Sequence, residues 1–293
     1  MIAPVQIRAL SWNLFHGRDA PPDPALYTWR SRVLGVTERN ETHLQVNRDL
    51  FDEFAALLSG ADWDIALLQE CPPRWEDGLA TASRARSHRV LTSRNWLNRP
   101  SHALARARPD LIASSEGGSN LTLVRPALGA IAERRKLELR RRPERRTMGF
   151  VRLEAGLCIA NLHTTNDRPK LAEPELRKAA ERATEWAGDA PLILGGDFNL
   201  RPSETKAFED LETRFGLARP TAPDAIDHLL ARGLRLIEQP RAWPAAKREL
   251  TEDGLAIRLS DHAPVEAIWE MTAAASPPDM PMARPGGSAP DTR

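Results

Sequence analysis

Leu192-Ile-Leu-Gly-Gly-Asp-Phe-Asn-Leu200 is the stretch on which the reading of this chain turns. Its apolar opening reads as a short buried strand. Gly195 and Gly196 then let the backbone turn and approach a ligand where a Cβ would collide. Asp197 and Asn199 stand two positions apart, so they share a face if the strand continues. A carboxylate and an amide at one strand end suit metal-assisted attack on a phosphate. The Asp would orient or deprotonate a water, and the Asn would donate to the Asp or to a phosphate oxygen. The plainer reading of the same residues is a strand followed by an Asx turn.

Working outward, residues 173–187 before this strand predict an amphipathic helix, with Pro174 in its first turn. Residues 148–153 and 157–162 predict a hairpin turning at Ala155-Gly156 and ending in His163-Thr-Thr-Asn166. Residues 134–146 hold eight basic and two acidic side chains. They read as a solvated, twisted hairpin or loop, with a nucleic-acid-facing edge as the alternative. Towards the N-terminus, strands are predicted at 6–12, at 64–70, at 88–92 and at 120–125. Helices are predicted over 45–58 and over 75–82. Towards the C-terminus, strands are predicted at 225–230 and at 265–269. Residues 272–293 lack apolar periodicity and read as a disordered tail after a domain spanning 1–271. Helical stretches are too few to connect every strand pair, which favours an α/β fold of two packed sheets with helices outside.

Composition narrows the function classes. The 41 basic and 40 acidic residues nearly cancel, so no global charge drives the chain towards nucleic acid. Cys71 and Cys158 are the only cysteines, and both adjoin apolar runs, which predicts free buried thiols. No window reaches the roughly 18 apolar residues of a membrane span. The N-terminal residues show no secretory signal pattern, so a cytoplasmic location is the expectation. No obligate protein partner is evident.

Six segments end a predicted strand in an acid, amide or imidazole. They supply Asn13, Glu70, His163 with Asn166, Asp197 with Asn199, Asp227, and Asp261 with His262. Each alone reads equally as a turn former, a cap or a satisfied edge residue. Together they point to one rim, because strand ends in layered α/β proteins converge. Oxygen donors without cysteine favour Mg²⁺ or Mn²⁺ over Zn²⁺.

In this order, Ser11-Trp12-Asn13, Leu68-Gln69-Glu70, Asn161-Leu162-His163, Gly196-Asp197-Phe198-Asn199, Ile226-Asp227-His228 and Ser260-Asp261-His262-Ala263-Pro264 resemble the endonuclease/exonuclease/phosphatase superfamily. These are metal-dependent phosphoesterases, and the match spans about residues 8–269. The resemblance implies a four-layered sandwich, two mixed β-sheets face to face with helices on the outer faces. It implies Glu70 as principal metal ligand, with Asn13 and Asp261 beside it. Asp197 would activate the attacking water, supported by Asn199, and Asn199 would also touch phosphate. His262, oriented by Asp227, would contact the scissile phosphate. His163 and Asn166 would line the phosphate pocket. The expected substrate is a phosphodiester in nucleic acid, for which Arg94, Arg99, Arg106, Arg108 and the 134–146 run could supply phosphate contacts. A lipid headgroup or a small phosphomonoester is the alternative on the same site, and a non-catalytic binding protein the remote one. Tyr27, the single tyrosine, lies in a Pro-rich loop, so the catalytic tyrosine of the abasic-site endonucleases has no obvious counterpart.

Overall fold

The structure is a computed structural model, and it describes residues 4–92, 117–142, 144–218 and 221–271. In chain order its strands are β1 (Val5–Asn13), β2 (Glu38–Arg39), β3 (Leu44–Gln45), β4 (Ile65–Cys71), β5 (Arg86–Leu91), β6 (Ser119–Val124), β7 (Ile131–Arg140), β8 (Arg146–Leu153), β9 (Cys158–His163), β10 (Leu192–Asp197), β11 (Asp227–Arg232), β12 (Arg235–Ala242), β13 (Glu249–Glu252), β14 (Leu255–Arg258) and β15 (Val265–Met271). Five α-helices are described: α1 (Trp29–Leu34), α2 (Phe51–Gly60), α3 (Glu76–Ala82), α4 (Pro169–Ala187) and α5 (Ala207–Phe215). Arg94, Arg99, Arg106, Arg108 and the tail 272–293 lie outside the described residues.

Alternation along the strands builds the layers. On β1, Ile7 and Ala9 enter one core while Leu10 and Trp12 enter another. On β4, Ile65 and Leu67 take the first side, Ala66 and Leu68 the second. Strands with both faces buried read as near-continuous apolar runs, as these do. The first sheet has the order β12-β15-β1-β4-β6-β5, and the second β11-β10-β9-β8-β7. Both are mixed. β1 pairs parallel with β4 and antiparallel with β15, and β10 pairs parallel with β9 and antiparallel with β11.

The shared core between the sheets holds Ile7, Ile65, Leu67, Ile159, Ile193 and Leu229. Outside the first sheet, Phe54 and Leu58 of α2 and Leu79 of α3 cover Leu10, Trp12 and Leu68. Outside the second, Ala172, Leu176, Ala179 and Ala183 recur on one side of α4 and cover Ala160, Leu162, Leu192 and Leu194. Small residues on that stripe bring the helix axis close to the sheet. Each large apolar side chain fully buried in this way contributes about 1.5–3 kcal/mol. The result is the expected four-layered sandwich.

Two helix starts differ from expectation. α2 begins at Phe51, not at residue 45, because the Asp49 carboxylate accepts from Phe51 N (3.2 Å) and the Asp19 carboxylate holds Val46 N (3.0 Å) in the preceding loop. Val46 and Leu50 are buried there without being helical. α4 begins at Pro169, so Pro174 falls in its second turn rather than its first. The helix start is held by Glu175, which accepts from Thr165 N (2.7 Å) and Oγ1 (2.8 Å) and pairs with Arg140. The 134–146 run includes most of β7 and the first residue of β8, and the two strands pair antiparallel.

His228 is fully buried on β11, with the Thr221 N–H donating to its Nδ1 (3.2 Å) and its Nε2 facing the Leu200 carbonyl (3.1 Å). The bond accepted at Nδ1 requires a neutral ring, while the Nε2–H donates to the Leu200 carbonyl. Burial pushes its pKa down to about 4. Protons therefore bind the unfolded chain first, and the stability this group supports is complete above about pH 6.5 and lost as pH falls through about 4. The loss is on the order of 3 kcal/mol. Denaturant unfolding of wild type and His228→Gln from pH 8 to pH 4, each on metal-free protein, checks this. The wild-type-minus-variant difference should shrink towards low pH, and a constant difference would refute it.

Candidate functional site

Facing side chains change from apolar to polar along every central strand. The inner face of β10 reads Ile193, Gly195, Asp197, that of β9 Ile159, Asn161, His163, and that of β4 Ile65, Leu67, Gln69. Asp197 stands opposite His163 on one neighbour and opposite Asp227 on the other. One rim of the second sheet therefore presents His163, Asp197 and Asp227 in a row. The first sheet answers with Asn13, whose Nδ2 donates to Asp197 Oδ2 across the gap (2.9 Å). Below them Gln69 Nε2 donates to Asn161 Oδ1 (2.8 Å), a second bridge between the sheets.

Glu70 reaches this rim by a distortion. Leu68 pairs with Leu121 and Cys71 with Ser119, so two residues of β4 oppose one of β6. This is a bulge, and Glu70 takes a left-handed φ of 48° within it. Its carboxylate lies 3.2 Å from His16 Nε2 and 3.9 Å from His163 Nδ1.

His262 arrives on the loop after β14. Ser260 Oγ donates to the Asn13 carbonyl (2.6 Å) and accepts from His262 N (3.1 Å), while Trp12 Nε1 donates to the His262 carbonyl (2.9 Å). The loop is thus tied to the end of β1. His262 Nδ1 meets Asp227 Oδ2 at 2.7 Å, and Nε2 lies 3.9 Å from both Asp197 Oδ2 and Asp261 Oδ1.

Burial and charge polarise the group. Burial raises the Asp197 carboxyl to about 7, and the neighbouring Asp227 charge adds to this, against His262 and the Asn13 hydrogen bond. Burial disfavours the His262 cation, but the charge and hydrogen bond of Asp227, with Asp197 and Asp261, outweigh it and raise the ring to about 10. Burial, then the Arg146 charge, holds His163 well below the ordinary imidazole value. The cleft thus has an acid near neutrality beside an imidazolium, two groups whose pKa values have been pushed far from their ordinary order.

Among the sequence candidates, Asn13, Glu70, His163, Asp197, Asp227 and His262 are joined by direct contacts, with Asp261 at their edge. Asn199 is joined differently than expected. β10 ends at Asp197, and Asn199 sits at φ 49° with its N–H on Asp197 Oδ1 (3.1 Å) and its Nδ2 on the Thr164 carbonyl (3.2 Å). The Asx turn and the site are one device. Asn166 is exposed in the turn after β9, and no hydrogen bond ties it to the group among the described residues. His16 also belongs to the cluster without a sequence expectation, and so does Arg146, which the sequence names only within the 134–146 run of phosphate contacts. Arg146 is buried, 3.3 Å from His163 Nδ1, although it closes an apparently solvated basic run.

Among the described residues, Asp197, Asp227 and His262 place ligand atoms within 4.8 Å of one another, a possible metal site. The wider set adds Glu70 and Asp261. Burial raises the Asp261 carboxyl, and the Glu70 charge adds to it against the pull of His262. Four carboxylates against one firm imidazolium fit a hard divalent cation.

Removing the Asp227 charge should lower the His262 pKa by about 1–3 pH units. Histidine NMR titration of metal-free wild type and Asp227→Asn measures this. A His262 ring unmoved by the change would show that Asp227 is not what holds its proton.

The profile of the Endonuclease/Exonuclease/phosphatase family matches residues 10–262. Comparison with curated proteins gives no match. An endonuclease/exonuclease/phosphatase family protein from Bacteroides thetaiotaomicron superposes at TM-score 0.62 and 16% identity, over 92% of this chain and 99% of its own. A mannosyl-6-phosphatase from the same species reaches 0.59 at 15% identity, over 89% and 98%. Truncated TDP2 from Caenorhabditis elegans reaches 0.54 at 13%, over 90% and 97%. At these identities the superpositions show the fold, while the profile covers most of the sequence, and the chain belongs to the endonuclease/exonuclease/phosphatase family.

Proposed function

We propose that this protein is a Mg²⁺- or Mn²⁺-dependent phosphodiesterase whose substrate is nucleic acid. The observation that carries the chemistry is the alignment of Asp227, His262 and Asp197. Asp227 takes one imidazole nitrogen at 2.7 Å and leaves the other directed into the cleft beside Asp197.

The metal reading separates two donor sets. His262, held protonated by Asp227 at neutral pH, has no lone pair free for a cation. That leaves Glu70, with Asn13 and Asp261, to hold the ion. When bound, it neutralises charge on the phosphoryl oxygens. Asp197 is the proton acceptor for the attacking water, with a pKa close to the operating pH. Asn13 and the Asn199 N–H occupy its two oxygens and fix its orientation. His262 Nε2–H stabilises a phosphoryl oxygen, a contact that gains strength as negative charge develops. His163 lines the other side of the pocket, with Asn166 further out.

The substrate assignment is supported by the turn between β7 and β8. Arg141 and Arg142 are exposed there, and the turn runs directly into Arg146 beside His163. Exposed arginines at the mouth of a phosphate pocket suit a polymer that presents further phosphates. A lipid headgroup is the second reading. Trp29 (68% exposed), Val33 and Leu34 stand out on α1, in the connection between β1 and β2.

Hydrolysis of bis-p-nitrophenyl phosphate, p-nitrophenyl phosphate, DNA, RNA and phosphatidylcholine vesicles, with Mg²⁺, Mn²⁺ or EDTA, tests the proposal. Diester and nucleic-acid cleavage should vanish in EDTA and fall by about 10²–10⁴-fold in Asp197→Ala. Cleavage of lipid but not nucleic acid would move the substrate to the second reading. Metal-independent activity, or none together with no metal binding, would remove the phosphodiesterase reading.

A second measurement addresses the polymer. Arg141→Ala/Arg142→Ala should flatten the dependence of log affinity for duplex DNA on log salt by about 2, one unit for each phosphate no longer neutralised. Turnover of the small diester should be retained. An unchanged salt slope would exclude these arginines from the nucleic-acid path.

A further inference from the structure

Arg146 is a buried cation set against a buried imidazole. Its Nη1 lies 3.3 Å from His163 Nδ1, and its Nη2 lies 2.9 Å from Glu144 Oε2. A guanidinium donates through five N–H groups and accepts nothing. The contact with His163 therefore has one chemical solution: Nδ1 accepts and carries no proton. The ring proton then sits on Nε2, the nitrogen 3.4 Å from Asp197 Oδ2.

The other neighbour of Nδ1 asks for the opposite arrangement. Glu70 Oε1 lies 3.9 Å away and, as an acceptor, would draw the proton to Nδ1. Arg146 is nearer, it is charged, and Glu144 holds it in place. In the reversed tautomer the Nδ1–H would face the Arg146 N–H, and the Nε2 lone pair would face the Asp197 carboxylate. Both are repulsive contacts among buried groups, where an unmet polar group is most costly.

We infer that Arg146 is a positioning residue that fixes His163 in the Nε2–H tautomer. The imidazole then donates towards Asp197 in the resting protein and, with substrate present, to a phosphoryl oxygen. In that state Asp197 Oδ2 faces three donors: Asn13 Nδ2 at 2.9 Å, His163 Nε2 at 3.4 Å and His262 Nε2 at 3.9 Å. Its remaining approach is towards the cleft, where the water is taken. The catalytic consequence rests on the phosphodiesterase reading, whereas the tautomer is a property of the protein without substrate.

The tautomer is read from two-bond ¹H–¹⁵N spectra of the ¹⁵N-labelled full chain with Mg²⁺ added. The His163 signals are identified by their loss in His163→Gln. The expected result is a pyridine-type shift for Nδ1 and a pyrrole-type shift for Nε2 in wild type. Arg146→Met should abolish this pattern, and Arg146→Lys, which keeps a charged donor, should restore it in part. An Nδ1–H tautomer in wild type overturns the inference, even if Arg146→Met fails to fold. So does an unchanged Nε2–H tautomer in folded Arg146→Met.

In steady-state hydrolysis of bis-p-nitrophenyl phosphate, Arg146→Met should lower kcat by about 10–100-fold with little change in KM, and Arg146→Lys should recover part of it. A raised KM with wild-type kcat would mark Arg146 as a direct phosphate contact and overturn the positioning role. Wild type inactive on every phosphoester would defeat the phosphodiesterase reading alone, and the spectra would still decide the tautomer.

Discussion

The geometry of the candidate site depends on how closely the two sheets approach at Gly195 and how closely β10 and β9 pack at Gly196. A Cβ on Gly195 would lie 2.7 Å from Leu67 Cδ1 of the facing sheet and 2.6 Å from Leu229 Cδ2. A Cβ on Gly196, at φ 144°, would lie 1.8 Å from the Leu162 carbonyl oxygen of the adjoining strand. No side chain other than hydrogen satisfies both positions. Close approach here is what allows Asn13 of one sheet to reach Asp197 of the other with a side-chain amide. It also brings Gln69 to Asn161 one layer below. The cleft is thus not a surface depression. It is the end of the shared core, where the same packing continues with polar side chains in place of apolar ones.

That continuity explains the electrostatics. Asp197 and His163 inherit the burial of the residues beneath them, so the charged form of each is disfavoured before any neighbour is considered. His262 inherits less, because it comes from a loop, and it gains more, because three carboxylates surround it. A carboxyl raised by burial and an imidazole raised by carboxylates end up as base and acid in reversed order. No unusual residue is needed. The assignment follows from which group stands on a strand and which on a loop.

Strand-end polar residues made most of the candidate site legible. Asp197, Asp227 and His163 each close an apolar run, and the strand period then sends them to one face. Asn13 and His262 were legible for the same reason, one at a strand end and one before a strand. Glu70 was visible as a strand-end acid, but period-2 alternation alone would have pointed it away from Gln69 and out of the cleft. Only the bulge turns it inward, and a bulge depends on the partner strand, which local sequence does not contain. His16 was hidden likewise by two successive left-handed residues, Phe15 and His16, neither of them glycine. Arg146 was obscured by company: its neighbours Arg141 and Arg142 are exposed, and a charge run gives no sign of which member is buried. The start of α2 was misplaced because Val46 and Leu50 are apolar at helical spacing, while Asp49 ends the loop between them with a side-chain bond that periodicity does not weigh.

The division between what was legible and what was not follows the division of labour in the fold. The chemistry is carried by strand ends whose positions are over-determined by core packing on both sides. Few residue types satisfy such positions, and their order along the chain is therefore informative. On the proposed function, substrate choice would belong to the segments that leave those strand ends: the turn after β7, the loop after Asn13 and the loop that carries His262. These are free to vary in length and charge without disturbing the core. Arg146 stands on the boundary between the two. It is the first strand residue after an exposed basic turn, and through His163 it reaches the Asp197 carboxylate. A change in the turn that moved Arg146 would alter the hydrogen-bonding state of the site and not only its affinity. On the proposed reading, the rim and the chemistry are coupled through one guanidinium.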